Sequence, residues 1–125
     1  MLEVIQSPNS AAPIGPYSQA IRANGMIYVA GEKGIDAKTG KIVPGGIEAE
    51  TRQTLENIKG ILEAGGSSLD KVVATFVFMT DLKDFAAMNA VYAQYFITNP
   101  PGRTTVEVKA LPAGAHIEIT AFALA

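Results

Sequence analysis

The spacing of apolar residues along the chain changes period several times, and each change predicts an element. Ser18 to Ala23 and Met26 to Ala30 are short strand-like runs separated by Asn24-Gly25, a pair that tolerates positive φ, which predicts a β-hairpin. Asp36 to Gly46 is crowded with Gly, Pro, Lys and Thr and reads as a turn-rich connection outside the core. From Ile47 onward Leu55, Ile58 and Leu62 recur at helical spacing among polar residues, and Gly65-Gly66 supplies a stop. Lys71 to Thr80, rich in Val and Phe and free of Gly and Pro, predicts a buried strand. A second helix is predicted from about Asp84 to Phe96, with Phe85, Met88, Tyr92, Tyr95 and Phe96 facing inward, until Pro100-Pro101 forbids continuation. Strands Thr104 to Val108 and His116 to Ala123 flank Leu111-Pro112-Ala113-Gly114.

The order strand, strand, helix, strand, helix, strand, strand predicts an α+β domain over 1–125, with two helices on one face of a mixed or antiparallel sheet. The opposite face of such a sheet is left bare, and a bare apolar face is usually hidden by other subunits. Composition then narrows the chemistry. Twelve acidic against ten basic residues give a net charge of −2, so there is no electrostatic footprint for nucleic acid. Cysteine is absent, which removes disulfides, thiolate nucleophiles and sulfur-ligated metals, and the single histidine, His116, disfavours imidazole-rich zinc sites and paired-histidine catalysis. No glycine motif for phosphates indicates a nucleotide cofactor. Neither a signal peptide nor a run of ~20 apolar residues is evident, so a cytoplasmic location without membrane contact is the default expectation.

Strand alternation supplies candidate chemistry. Arg103, Thr105, Glu107 and Lys109 share one strand face, and His116, Glu118, Thr120 and Phe122 oppose the apolar row Ile117, Ile119, Ala121 and Ala123. If those two strands pair, Arg103 and Glu118 line one polar cleft, a fork that grips a carboxylate beside a carboxylate able to act as base. Alternation alone favours a plainer reading, a surface on which both are solvated or paired with each other. Gly15-Pro16-Tyr17-Ser18-Gln19-Ala20 presents Tyr17 either as an aromatic lid over a pocket or as part of the core around a structural turn. Gly31 marks a place where a ligand can approach the backbone, or merely a bulge, and Asn89 reads as a polar helix position. His116 is assigned no role.

These segments, with Val29-Ala30-Gly31, Thr51-Arg52-Gln53-Thr54-Leu55-Glu56-Asn57, Val91-Tyr92, Tyr95-Phe96, Pro100 to Val108 and Ile117-Glu118-Ile119, carry a resemblance to the RidA/YjgF family of enamine/imine deaminases over nearly the whole length. The resemblance implies a chorismate-mutase-like fold and a homotrimer with a central β-barrel, outer helices and sites between subunits. It implies that Arg103 binds the substrate carboxylate with backbone help near Gly31 and Thr105. Tyr17 would close the pocket, Asn89 would line it, and Glu118 would hold and activate water. The implied reaction hydrolyses 2-iminobutanoate or 2-iminopropanoate to a 2-keto acid and ammonia, without metal or cofactor.

The chain departs from the family's pattern at several positions. Glu32 stands where Gln is usual, Lys33 where an apolar residue is, Gly34 where Pro is frequent, Gly102 where Ala is frequent, and Thr104 and Thr105 where Cys, Ser or Ala are. Lys33 shares a strand face with Gly31. It therefore either adds positive charge to the pocket, shifting preference towards a second acidic group, or reaches solvent at a subunit boundary. Two other classes stay open: a non-catalytic module binding a 2-keto acid or similar carboxylate, and an endoribonuclease or translation inhibitor. A chaperone role has also been claimed for some relatives. The presence of both Arg103 and Glu118 favours the enzyme, and the acidic charge weighs against the ribonuclease.

Overall fold

The computed structural model describes residues 2–125. Asn24 and Gly25 have φ of 52° and 74°, the pair of left-handed residues a tight hairpin needs, and they join β2 (Ala20–Ala23) to β3 (Met26–Lys33). A short edge strand, β1 (Glu3–Ile5), pairs antiparallel with β2. Three residues are too few to display a period, so the sequence pattern did not expose it. The remaining elements are α1 (Gly46–Ala64), β4 (Val72–Met79), α2 (Phe85–Tyr95), β5 (Gly102–Glu107) and β6 (Ile117–Leu124).

The six strands form one mixed sheet in the order β1-β2-β3-β6-β4-β5, antiparallel throughout except for the parallel pair β4/β5. That parallel edge follows from α2, whose crossover returns the chain in the same direction. Both helices pack on one face, as predicted. Leu55, Ile58, Ile61 and Leu62 of α1 and Met88 and Tyr92 of α2 close over Ile27, Val29, Val77, Met79 and the row Ile117, Ile119, Ala121 and Ala123. The other face carries Tyr28, Phe76 and Phe122, whose rings meet edge-to-face at centroid distances of 5.0 and 5.4 Å, with Val4 and Val106 exposed beside them. Among the described residues no helix covers that face.

Helix α1 stops as its glycines require. Gly66 has φ 80°, its N–H donates to Glu63 O at 3.0 Å, and Ser67 N–H donates to Leu62 O at 2.8 Å, which closes the last carbonyls. One inward residue of α2 was misjudged: Phe85 is 39% exposed, because it lies in the first turn of the helix, beyond the packed core.

Strand β3 runs past Ala30, through an irregularity between Val29 and Glu32, to Lys33. This end of β3 is fastened by buried Asn57 of α1, whose Nδ2 donates to Lys33 O at 3.1 Å and Ile35 O at 3.0 Å. Its Oδ1 accepts from Gln53 Nε2 at 3.0 Å. Truncating Asn57 takes the side-chain donor from Ile35 O and leaves Lys33 O with only Ile35 N–H at 2.8 Å, so Asn57→Ala is expected to lower the unfolding free energy by about 1–3 kcal/mol in denaturant titration. A loss below about 0.5 kcal/mol would show that the fastening contributes nothing.

Candidate functional site

The bulged end of β3 positions the first group of candidate residues. Tyr17, Gly31, Lys33 and Glu118 line an open cleft of about 440 Å³ together with Ile14, Gly15 and Pro16. Tyr17 N–H donates to Gly15 O at 2.8 Å and its hydroxyl accepts from Ile14 N–H at 3.1 Å, so the Gly-Pro turn holds the ring at the rim. Glu118 lies over Gly31. A Cβ at position 31 would collide with Glu118 Oε2, so the missing side chain gives the carboxylate its seat. On the same strand pair Lys33 is opposite Glu118, and its Nζ forms an ion pair with Glu118 Oε1 at 3.5 Å and donates to Gly31 O at 3.3 Å.

The second group sits elsewhere. Arg103 on β5 joins Asn89, Tyr92, Ala93 and Phe96 of the α2 region and Pro100-Pro101 in another cleft. Its guanidinium Cζ lies 4.8 Å from the Tyr92 ring centroid and 5.5 Å from that of Phe85. Tyr92 is fixed in turn by a 2.7 Å hydrogen bond between its hydroxyl and Thr75 Oγ1, and burial pushes its phenol pKa up. The aromatic rings hold the cation without neutralising it: among the described residues no carboxylate pairs with Arg103. Thr105, two residues on along the same face, has a buried hydroxyl with no hydrogen-bond partner.

The pairing of β5 with β6 that would have put Arg103 beside Glu118 does not occur. Strand β4 lies between them. Arg103 is in register with Thr75, which is in register with Ala121 on the helix-covered face, whereas Glu118 is in register with Phe78 and Lys33 on the opposite face. Parity of the alternation therefore separates the two residues within one chain. The sequence offered each strand's polar row correctly but could not say which strand came between.

Some of the site was not read from the sequence. The ion pair between Lys33 and Glu118 needed the antiparallel register of β3 and β6. His116, assigned no role, is satisfied by buried Glu50 of α1, which accepts from His116 N–H at 2.8 Å and contacts its Nδ1 at 2.6 Å. Lys33 also proves neither solvated nor a free pocket cation, since its side chain is only 6% exposed and already paired with a carboxylate. That removes the ground for a preference towards a second acidic group.

Glu32 is the other unusual charge. It faces the helix side in register with Ile119, is 4% exposed, and its pKa is raised from 4.5 to about 8, first by burial, with nearby Lys33 opposing and Glu118 adding to the rise. A raised carboxyl pKa means that the folded chain holds a proton the unfolded chain has released. This contribution to stability is present below pH 4.5 and is lost as pH rises towards about 8. The full loss is on the order of 5 kcal/mol. Glu32→Gln is therefore expected to be more stable than wild type at pH 8.5 and to flatten the fall in unfolding free energy between pH 5.5 and 8.5. An unaltered pH profile in the variant would contradict the assignment.

Comparison with known proteins places this geometry. The family model described as Endoribonuclease L-PSP matches residues 7–125. A RutC family protein of Pyrococcus horikoshii is 54% identical over 98% of this chain and 98% of its own length. The 2-iminobutanoate/2-iminopropanoate deaminase of Mus musculus is 41% identical over 98% of this chain and 90% of its own. Among solved structures, the YjgF gene product of E. coli superposes with a TM-score of 0.93 at 41% identity, covering 98% of both chains. TdcF of E. coli, solved with bound serine, superposes with a TM-score of 0.94 at 35% identity, covering 98% of both chains. Matched across nearly its full length in sequence and in fold, the chain belongs to the Rid/YjgF/L-PSP family, which includes the RutC proteins.

Proposed function

We propose that this protein is a 2-iminobutanoate/2-iminopropanoate deaminase whose active site is completed between copies of the chain. The observation that carries the reading is Arg103, a half-buried guanidinium stacked on two rings with no protein carboxylate among the described residues. A cation so held suits the carboxylate of a small imino acid, which accepts two parallel N–H bonds from the fork. The bare, aromatic face of the sheet offers the surface on which copies associate, and closure as a homotrimer brings the Arg103 half of one copy to the Glu118 half of the next.

In such a composite site Arg103 fixes the substrate carboxylate, with backbone groups near Gly31 and Thr105 assisting. Asn89 lines the Arg103 side, and Tyr17 closes the Glu118 side. Glu118 takes a proton from water as the oxygen adds to the C=N carbon of the iminium. The resulting carbinolamine receives that proton on nitrogen, the C–N bond breaks to release ammonia, and Glu118 takes the hydroxyl proton as C=O forms and passes it to the ammonia. Iminium and water thus become 2-keto acid and ammonium. Because iminium carbon is already electrophilic, orientation and one placed base suffice.

The bound serine in the solved TdcF supports a second reading, a site that holds a small amino or keto acid without turnover. The ribonuclease reading, carried by the family model's description, sits poorly with a net charge of −2. One assay separates these. A threonine dehydratase generates the imine, and semicarbazone formation is followed with wild type, Arg103→Ala and Glu118→Ala. Wild type is expected to divert the imine before semicarbazide traps it, and each variant is expected to lose at least about a hundredfold in rate while remaining folded. An inactive wild type that still binds 2-keto acids in calorimetry would establish the binding module instead.

A further inference from the structure

The Glu118 cleft contains a charged residue that the proposed chemistry does not use. Lys33 is 6% exposed and its Nζ has two acceptors, Glu118 Oε1 at 3.5 Å and Gly31 O at 3.3 Å. A buried ammonium is costly to desolvate, and such a pair is seldom the most stable way to fill the space. Its contacts are local: both go to the two residues that seat the carboxylate. Glu118 Oε2 lies in the space a side chain at position 31 would need, and Oε1 points at the ammonium. Both oxygens are thus constrained by β3, one by an absent side chain and one by a charge.

We propose that Lys33 is a positioning residue for Glu118, clamping one carboxylate oxygen to the bulged end of β3 so that the other faces the attacking water. The proposal rests on the imine-hydrolase reading for its kinetic consequence. The other charges near the clamp do not replace Lys33. Glu32 lies on the opposite face of β3, and its raised pKa keeps it mostly protonated at neutral pH, so the ammonium's charge is directed at Glu118. His116, just before β6 and two residues ahead of Glu118, is occupied by Glu50 of α1, and the Tyr17 hydroxyl by Ile14 N–H. With Lys33 removed, nothing among the described residues holds Oε1.

The test is steady-state imine hydrolysis by Lys33→Met, Lys33→Arg, Glu118→Ala and the double variant Lys33→Met/Glu118→Ala, with thermal unfolding as the check on folding. Lys33→Met is expected to lower kcat about ten- to a hundredfold with KM changed less than about twofold. Lys33→Arg is expected to recover most of kcat, and the double variant to be no slower than Glu118→Ala alone, because the ammonium acts only through that carboxylate. If Lys33→Met does not fold, Lys33→Gln takes its place with the same expectation. Unchanged kcat, a rise in KM alone, or additive losses in the double variant would overturn the proposal. Should wild type hydrolyse no imine, the proposed function fails on its own, and a crystal structure of the Lys33→Met or Lys33→Gln variant still decides the clamp. A Glu118 carboxylate that leaves Gly31 supports it, and one that stays in place overturns it.

Discussion

The arrangement of the candidate site depends on one topological constraint, the insertion of β4 between β6 and β5. Helix α2 must cross over to bring β5 in parallel to β4, so β5 ends at the sheet edge, beyond reach of β6. Register then fixes the faces. Arg103 aligns with Thr75 under the helices, and Glu118 aligns with Phe78 on the bare side. The Arg103 guanidinium and the Glu118 carboxylate are thereby held apart in each chain. The same bare face that separates them is the surface through which copies can meet, so assembly and site completion are proposed as a single event.

Each half is prepared differently. The Arg103 half relies on aromatic rings and on the Tyr92–Thr75 hydrogen bond, which orient a cation while leaving its donors unspent. The Glu118 half relies on backbone and charge: a bulge, a glycine that yields its Cβ space, a buried ammonium, and Asn57 pinning the strand end from α1. Burying Glu32 there has a cost, visible in a carboxyl whose pKa burial pushes up to about 8, a rise that neighbouring Lys33 only partly offsets.

Much of the fold was legible because period carries it. Both helices, the hairpin and the three later strands follow from apolar spacing with Asn24-Gly25, Gly65-Gly66 and Pro100-Pro101 as punctuation. Strand β1 was too short to show a period, and Phe85 lies at a helix end where periodicity does not predict depth. The polar rows of β5 and β6 were legible from alternation, yet the pairing of those two strands was not, since neighbours in a sheet are decided by long-range pairing that no local pattern encodes. Tyr17, Gly31 and Glu118 come together through the β3/β6 register, and Arg103 and Asn89 through the packing of α2. The burial of Lys33 and Glu32 had no local signal beyond their departure from the family's usual residues.

The most direct test of a site shared between copies is subunit complementation. Arg103→Ala and Glu118→Ala chains, each inactive alone, are unfolded, mixed in equal amounts and refolded, and imine hydrolysis is compared with refolded wild type. If one chain supplies Arg103 and its neighbour Glu118, random assembly makes about a quarter of the sites intact, and activity returns to about that fraction. A mixture that forms hybrid assemblies by native mass spectrometry yet stays as inactive as its parents would contradict the account.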